Sequence, residues 1–376
     1  MWVIFYLSYT HISRMVMNYG GFDLDISTYT MLLVCKLQSL AFCYRDGGYP
    51  ERYLTPEQHK WRVDKLPTVL EMASYTFFCS ACALGVFFEF SDYKRFIERK
   101  GEYTYVPSPI IPSLKTLFTA FFCLIVFLVV SGSYNVLFCG TKEFYEMGTW
   151  TTRMFYYNVA MTGQRFFYYA PWCFTTGAIQ ASGFGYNGRD PRHFFHRWDK
   201  VVGVYWYELE TCTSPIEMLR YWNHQIHLWL KYYVSARLAE YGKRPTAAMN
   251  FVTFLVSAFW HGFYPFYYVV FFFAAMATEA NKDVFKSRIL FKQFIPGFLR
   301  NFVANQVSFL ILNYLGVAFA ALTFERGLYF MGGTRYFVPI LLTVFVMISR
   351  SINLPGIAKK KEAKIKAAKE AKTKKE

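Results

Sequence analysis

The chain has 376 residues, of which 54% are hydrophobic, 21% aromatic and only 18% charged, with 41 Phe and 30 Tyr. So much apolar content excludes disorder, and apolar residues in long runs instead of one-face stripes are wrong for a soluble helical domain. The net charge of +16 includes +6 from the nine Lys and three Glu after Ala358, so the basic balance reads as membrane topology, with no nucleic-acid partner expected.

About 20 mostly apolar residues cross a ~30 Å hydrocarbon core as a helix. Met1 to Ser13 carries no charge; with no basic region before it and no small-residue cleavage site after it, it reads as the start of a span and not as a signal peptide. Ile26 to Tyr44 is apolar except for Lys36 and reads as an interior or partly submerged helix. Residues 45–67 and 89–115 are polar and predict loops or surface helices, with Met72 to Phe88 between them as a short uncharged span. Thr116 to Thr141 and Phe166 to Gly188 are uncharged spans of full length, the second bounded by Arg165 and Arg189.

Pro245 to Thr278 contains no Asp, Glu, Lys or Arg in 34 residues. As one helix it would be about 51 Å long, well beyond the core, so it must bend. The bend is written as His261-Gly262-Phe263-Tyr264-Pro265, because Pro265 lacks the amide that would bond the His261 carbonyl. Both flanks are basic, Lys231 to Arg244 at +3 and Lys282 to Arg300 at +4. The positive-inside rule then puts them on one side, and the run is expected to enter and return as two partial helices.

Asn301 to Phe324 and Tyr336 to Ser349 predict the last two spans, joined by a stretch whose only charges are Glu325, Arg326 and Arg335. Two crossings return the Lys-rich tail to the side of Lys282 to Arg300. The expected organisation is one membrane domain over 1–355 and a disordered cytosolic tail over 356–376, whose last residues, Lys372-Thr373-Lys374-Lys375-Glu376, fit a dilysine endoplasmic-reticulum retrieval pattern.

The eight cysteines give no disulfide or metal framework; Cys79 and Cys82 form a CxxC inside an apolar span and read as packing residues. His193 with His196 and His224 with His227 are spaced three apart, but neither pair has the neighbours that would complete a metal site, so none is expected. His261 differs in context. An ionisable group at membrane depth either satisfies a neighbouring helix or faces a cavity, and the broken backbone beside it favours the cavity. An imidazole there is a natural general base. A second cluster runs from Arg220 to Leu230. As a helix it puts Trp222, Ile226, Trp229 and Tyr233 on one face and Asn223 on an adjoining one. Such a helix is either an interfacial aromatic belt or a means of aiming the Asn223 carboxamide at the cavity of His261.

Trp222-Asn223 with Trp229-Leu230, followed by Ser257-Ala258-Phe259-Trp260-His261-Gly262-Phe263-Tyr264-Pro265-Phe266-Tyr267-Tyr268, closely resembles the membrane-bound O-acyltransferase family, in its lysophospholipid acyltransferase branch. Lys36 to Ala41, Glu71 to Tyr75, Phe87 to Tyr93, Ser182 to Gly188 and Glu210 to Ser214 add similarity in family order, so the resemblance covers about residues 18 to 285.

The resemblance implies an all-α polytopic membrane protein. Its fold would have about eight to ten membrane helices, including broken or re-entrant ones, around an intramembrane cavity, and would be shortened at its N-terminus relative to the family. It implies His261 as the catalytic His and Asn223 as its partner. The reaction would be transfer of an acyl chain from acyl-coenzyme A to the free hydroxyl of a lysophospholipid, with no permanently bound cofactor. Trp222, Trp229, Trp260, Tyr264 and Arg237 are the substrate-binding candidates; Arg237 with Lys243 and Arg244 either attracts coenzyme phosphates or sets topology. The endoplasmic-reticulum membrane is the expected location. His227, four residues after Asn223, is similar to the sterol and diacylglycerol branch and leaves those acceptors, or a protein, as alternatives. An inactive relative or a transporter is the non-enzyme alternative, although a transporter would show a second broken run.

Overall fold

A computed structural model of the chain describes residues 2–21, 25–82, 85–239, 243, 245–291 and 296–373. Helices are the only extended secondary structure among these residues; their one β feature is an isolated bridge between Arg189 and His196. Helices α1 (Trp2–Met17) and α2 (Ile26–Gly47) pack on each other, tied by the hydroxyls of Thr10 and Thr30 at 3.1 Å. The side chain of Asp25 caps α2 by accepting from the Ser27 amide at 2.8 Å.

The span expected over 72–88 is not one helix. The chain forms α3 (Val69–Thr76) and a single turn at Cys79–Cys82, and residues 85–89 are not helical before α4 (Phe90–Ile97). The cause is Lys36 of α2, fully buried, whose ammonium donates to the carbonyls of Tyr75 at 3.0 Å and Thr76 at 3.1 Å. Those carbonyls are thereby satisfied without helix continuation. The Lys36 ammonium also lies 4.2 Å from the centroid of the Phe88 ring, and the Tyr75 hydroxyl donates to the Phe88 carbonyl at 2.7 Å. The lone charge in an apolar run is thus the bolt that holds the next segment.

Helices α5 (Ile110–Ser131) and α6 (Trp150–Ala181) are antiparallel neighbours. Phe121 meets Phe174 at 5.1 Å and Phe127 meets Phe167 at 4.9 Å between ring centroids. A Cβ on Gly163 would lie 2.8 Å from Val130, so a glycine is required at that crossing. Arg165, which the charge pattern places at the edge of a span, lies inside α6. Its guanidinium is bidentate to Glu210 with both N–H···O distances 3.0 Å, and it also donates to Asn313. A charge neutralised and hydrogen-bonded in this way no longer marks a helix boundary.

The 34-residue uncharged run is broken where Pro265 stands. Helix α9 (Ala247–His261) ends at His261 and α10 (Pro265–Phe291) begins at the proline, α7 (Pro215–Tyr221) and α8 (His224–Trp229) having preceded them. The two halves fold back side by side. Asn250 donates to Thr278 at 2.7 Å and Glu279 at 3.1 Å, and Phe251 packs on Phe272 with ring centroids 5.7 Å apart. Helices α11 (Gly297–Ala321), α12 (Phe324–Gly333) and α13 (Phe337–Ser351) come next, α12 and α13 meeting at 77°.

The tail expected to be disordered is helical as α14 (Leu354–Thr373). Ala358, 1% exposed, anchors its early part, which packs on α10, and the Ala, Lys and Glu residues beyond that anchor favour helix. The dilysine residues Lys374 to Glu376 and Arg244 lie outside the described residues. Among the described residues α2, α5 and α11 are each long and apolar enough to cross a membrane, and the bent α12–α13 pair is so when its two helices are taken together. The other helices fall short because they are brief, as α9 is, rich in polar and hydroxyl side chains, as α6 is, or charged toward one end, as α10 is.

Candidate active site

His261 is the last residue of α9, and Gly262 turns the chain away with φ of +136°, a conformation that L side chains rarely adopt. The imidazole is half-buried in an aromatic wall: Trp260, Phe319, Phe271 and Tyr267 stand at 4.8, 4.9, 5.2 and 5.8 Å between ring centroids. Neither ring nitrogen of His261 hydrogen-bonds to a described residue, which leaves both open to a substrate.

Asn223 sits between α7 and α8 with φ of +39° and ψ of +58°. Asn is one of the few residues that visit this left-handed region readily, so the turn itself supplies a structural reason for the residue. Its backbone carbonyl accepts from the His227 amide at 3.0 Å, while its carboxamide makes no hydrogen bond among the described residues. Helix α8 reaches α9 at its other end, where Trp229 and Trp260 lie 6.1 Å apart. Asn223 is six residues earlier, roughly 9 Å along the axis, and it does not hydrogen-bond to His261.

The remaining candidates divide. Trp222 packs across Trp172 at 5.3 Å and Tyr168 at 5.5 Å. Trp229 is 1% exposed, and its indole N–H has no partner among the described residues. Trp260 and Tyr264 are committed to structure: the Trp260 indole donates to the Met31 carbonyl at 2.9 Å, and the Tyr264 hydroxyl accepts from the Gly20 amide at 2.8 Å and donates to the Asn18 carbonyl at 3.3 Å.

Arg237 forks onto Asp46 at 2.7 and 2.5 Å, so its charge is already paired. It lines a pocket of about 350 Å³ at the end of α2, with Arg45, Lys231 and Tyr233 in the same wall. Beneath that pocket Tyr233 donates to Glu89 at 2.6 Å and contacts the Cys43 thiol at 3.1 Å. Burial pushes the Glu89 carboxyl up to about 8 even against the Tyr233 hydrogen bond, which acts to lower it.

His193 stacks on Phe195, His196 bonds the Tyr186 hydroxyl at 3.0 Å, and Nδ1 of His224 lies 2.8 Å from the Arg220 carbonyl. No group of three metal-ligating side chains occurs among the described residues. The sequence pattern alone does not single out the wall residues Phe271 and Phe319, nor His11, whose Nε2 lies 3.1 Å from the Trp260 carbonyl. A signal for His11 is nevertheless present, since it is an ionisable group in an apolar run.

Helical architecture of this kind, with a histidine at a broken helix between apolar spans, defines a polytopic membrane enzyme-like site. The profile of the membrane-bound O-acyltransferase family, MBOAT, matches residues 15–316, and the chain belongs to that family as a multi-pass membrane protein. It is 28% identical to "Lysophospholipid acyltransferase 2" of Arabidopsis thaliana over 348 residues, 88% of this chain and 73% of that protein. It is 32% identical to "Membrane-bound glycerophospholipid O-acyltransferase 1" of Mus musculus over 296 residues, 74% of this chain and 58% of that protein. It is 27% identical to "Lysophospholipid acyltransferase" of Saccharomyces cerevisiae over 385 residues, 93% of this chain and 61% of that protein. The chain therefore spans between 58% and 73% of the length of these relatives.

Proposed function

We propose that the chain is an acyl-coenzyme A-dependent lysophospholipid O-acyltransferase with His261 as general base. The observation that carries this reading is an imidazole at the α9–α10 break, in an aromatic wall, with both nitrogens unoccupied by described residues. The names of the relatives supply the acceptor class. In the reaction His261 takes the proton of the lysophospholipid hydroxyl as its oxygen attacks the thioester carbonyl. The tetrahedral intermediate collapses by breaking the C–S bond, and the thiolate leaves with the proton returned by His261. The thioester is already activated, so no covalent enzyme intermediate and no resident cofactor are needed. Asn223 serves as a donor to the developing oxyanion or to the acceptor hydroxyl. Trp222 and Trp229 line the path of the apolar tails, and Arg45 and Lys231 beside Arg237 suit the phosphates of the coenzyme.

The same reading places the protein in the endoplasmic-reticulum membrane with its Lys-rich end cytosolic. Membranes carrying the chain are incubated with labelled acyl-coenzyme A and a panel of acceptors. Label is expected in phospholipid, with His261→Ala at background and Asn223→Ala reduced roughly 10²-fold. Label only in triglyceride, sterol ester or protein refutes the acceptor class. Unchanged turnover in His261→Ala refutes the mechanism.

A further inference from the structure

His11 is 2% exposed on α1, far from His261 in sequence, yet it touches the residues on both sides of that histidine. Its Nε2 lies 3.1 Å from the Trp260 carbonyl. A carbonyl only accepts, so Nε2 carries the proton. Its Nδ1 faces the other side of the break, 3.3 Å from where a Cβ on Gly262 would stand. Its ring meets the Phe263 ring edge-on at 5.8 Å.

The Trp260 carbonyl needs such a partner. In an unbroken helix it would accept from the amide of Tyr264, but α9 ends at His261, where the Gly262 amide bonds the Ala258 carbonyl at 3.1 Å. His11 supplies the missing donor. Helix α1 is itself fixed: Thr10, the neighbour of His11, holds Thr30 of α2 at 3.1 Å, and Tyr264 on the far side of the break holds residues 18 and 20 at the turn after α1. His261 thus stands between two clamps, one on Trp260 and one on Tyr264, both reaching back to the first 20 residues. His11 also lies before the span that the family profile matches.

We propose that His11 is a positioning residue for acyl transfer: by donating Nε2–H to the Trp260 carbonyl it sets the angle at which α9 delivers His261 to the acceptor hydroxyl. The inference rests on His261 being the base, and the test separates the two. Its variants are His11→Gln, His11→Asn, His11→Leu and His261→Ala, assayed as the full chain in membranes at matched protein levels, with kcat and KM measured for both substrates and thermal unfolding in detergent.

Gln carries a terminal amide N–H to the reach of Nε2, Asn stops one carbon short, and Leu has no donor. The expected result is kcat within about threefold of wild type for His11→Gln and a loss of roughly 10- to 100-fold for Asn and Leu. KM should stay near wild type, and the unfolding midpoint of the Asn variant should fall only as far as one carbonyl left without its donor requires. Wild-type kcat in His11→Asn or His11→Leu overturns the proposal, and so does an equal loss in Gln, Asn and Leu that follows the unfolding midpoint. Should His11→Leu fail to accumulate, the Gln–Asn comparison alone decides. Full activity in His261→Ala removes the base itself and with it the reading beneath.

Discussion

Removing Glu210 is the sharpest test of how the charges inside the helices are held. Arg165 is 3% exposed by side chain and forks onto Glu210, which is 24% exposed. It also donates to Asn313 and lies 4.6 Å from the centroid of the Phe309 ring. In Glu210→Ala the guanidinium keeps a neutral acceptor and a ring but loses its counter-charge. An uncompensated buried charge costs about 3–5 kcal/mol, and an Arg near the centre of a membrane helix costs about 2.5–3.5 kcal/mol by insertion scales. Glu210 is only partly buried, so the lower figure applies: about 3 kcal/mol, a hundredfold or more in the folded-to-unfolded ratio.

Arg165→Met should cost less, because the carboxylate it abandons can hydrate, and the double variant should be no less stable than Glu210→Ala alone. The assay is reversible unfolding in mixed micelles, run as a double-mutant cycle. A coupling above about 1.5 kcal/mol is expected; a value near the ~0.6 kcal/mol average of polar pairs within membrane proteins refutes the argument that this pair, and not helix propensity, lets α6 run through Arg165.

Lys36→Met leaves the carbonyls of Tyr75 and Thr76 without their ammonium donor and should destabilise by about 1–3 kcal/mol, with protease cleavage appearing first between residues 69 and 89. Glu89 gives a pH dependence whose sign is set by its burial. Its carboxyl is raised from the usual 4.5 to about 8 in the folded chain, so between those values the folded state binds more protons than the unfolded. Stability therefore falls as pH rises through that window, by at most about 1.4 kcal/mol per unit. Glu89→Gln, which keeps an oxygen for Tyr233 to donate to, should flatten the slope between pH 5 and pH 8 in detergent unfolding. An equally steep slope in that variant assigns the proton elsewhere.

The fold is legible in the sequence wherever one residue decides a local outcome. Pro265 has no amide, so the long apolar run has to break near His261, and it does, with the halves folded back. The uncharged run 301–324 becomes α11 within a few residues, whereas the run 116–141 becomes α5 shifted toward the N-terminus, ending ten residues early at Ser131. Anything set by a partner distant in sequence is not legible. Charge counting puts Arg165 at a boundary because Glu210 and Asn313 are invisible from within the run. It makes 72–88 a span because nothing in those residues announces that Lys36 will take the carbonyls of Tyr75 and Thr76.

The site shows the same division. A histidine beside a helix break can be named from sequence, but its wall of Phe271 and Phe319 and its second clamp through His11 belong to tertiary packing. His11 lies within reach of the rule that singles out His261, since both are ionisable groups in apolar runs. What sets it apart is that no backbone break stands beside it in α1. The physical link between the two is that a broken helix at membrane depth frees carbonyls, and a freed carbonyl in an apolar surrounding needs a donor from another helix. The two histidines are therefore coupled by one defect: the break that exposes His261 creates the Trp260 carbonyl that His11 answers.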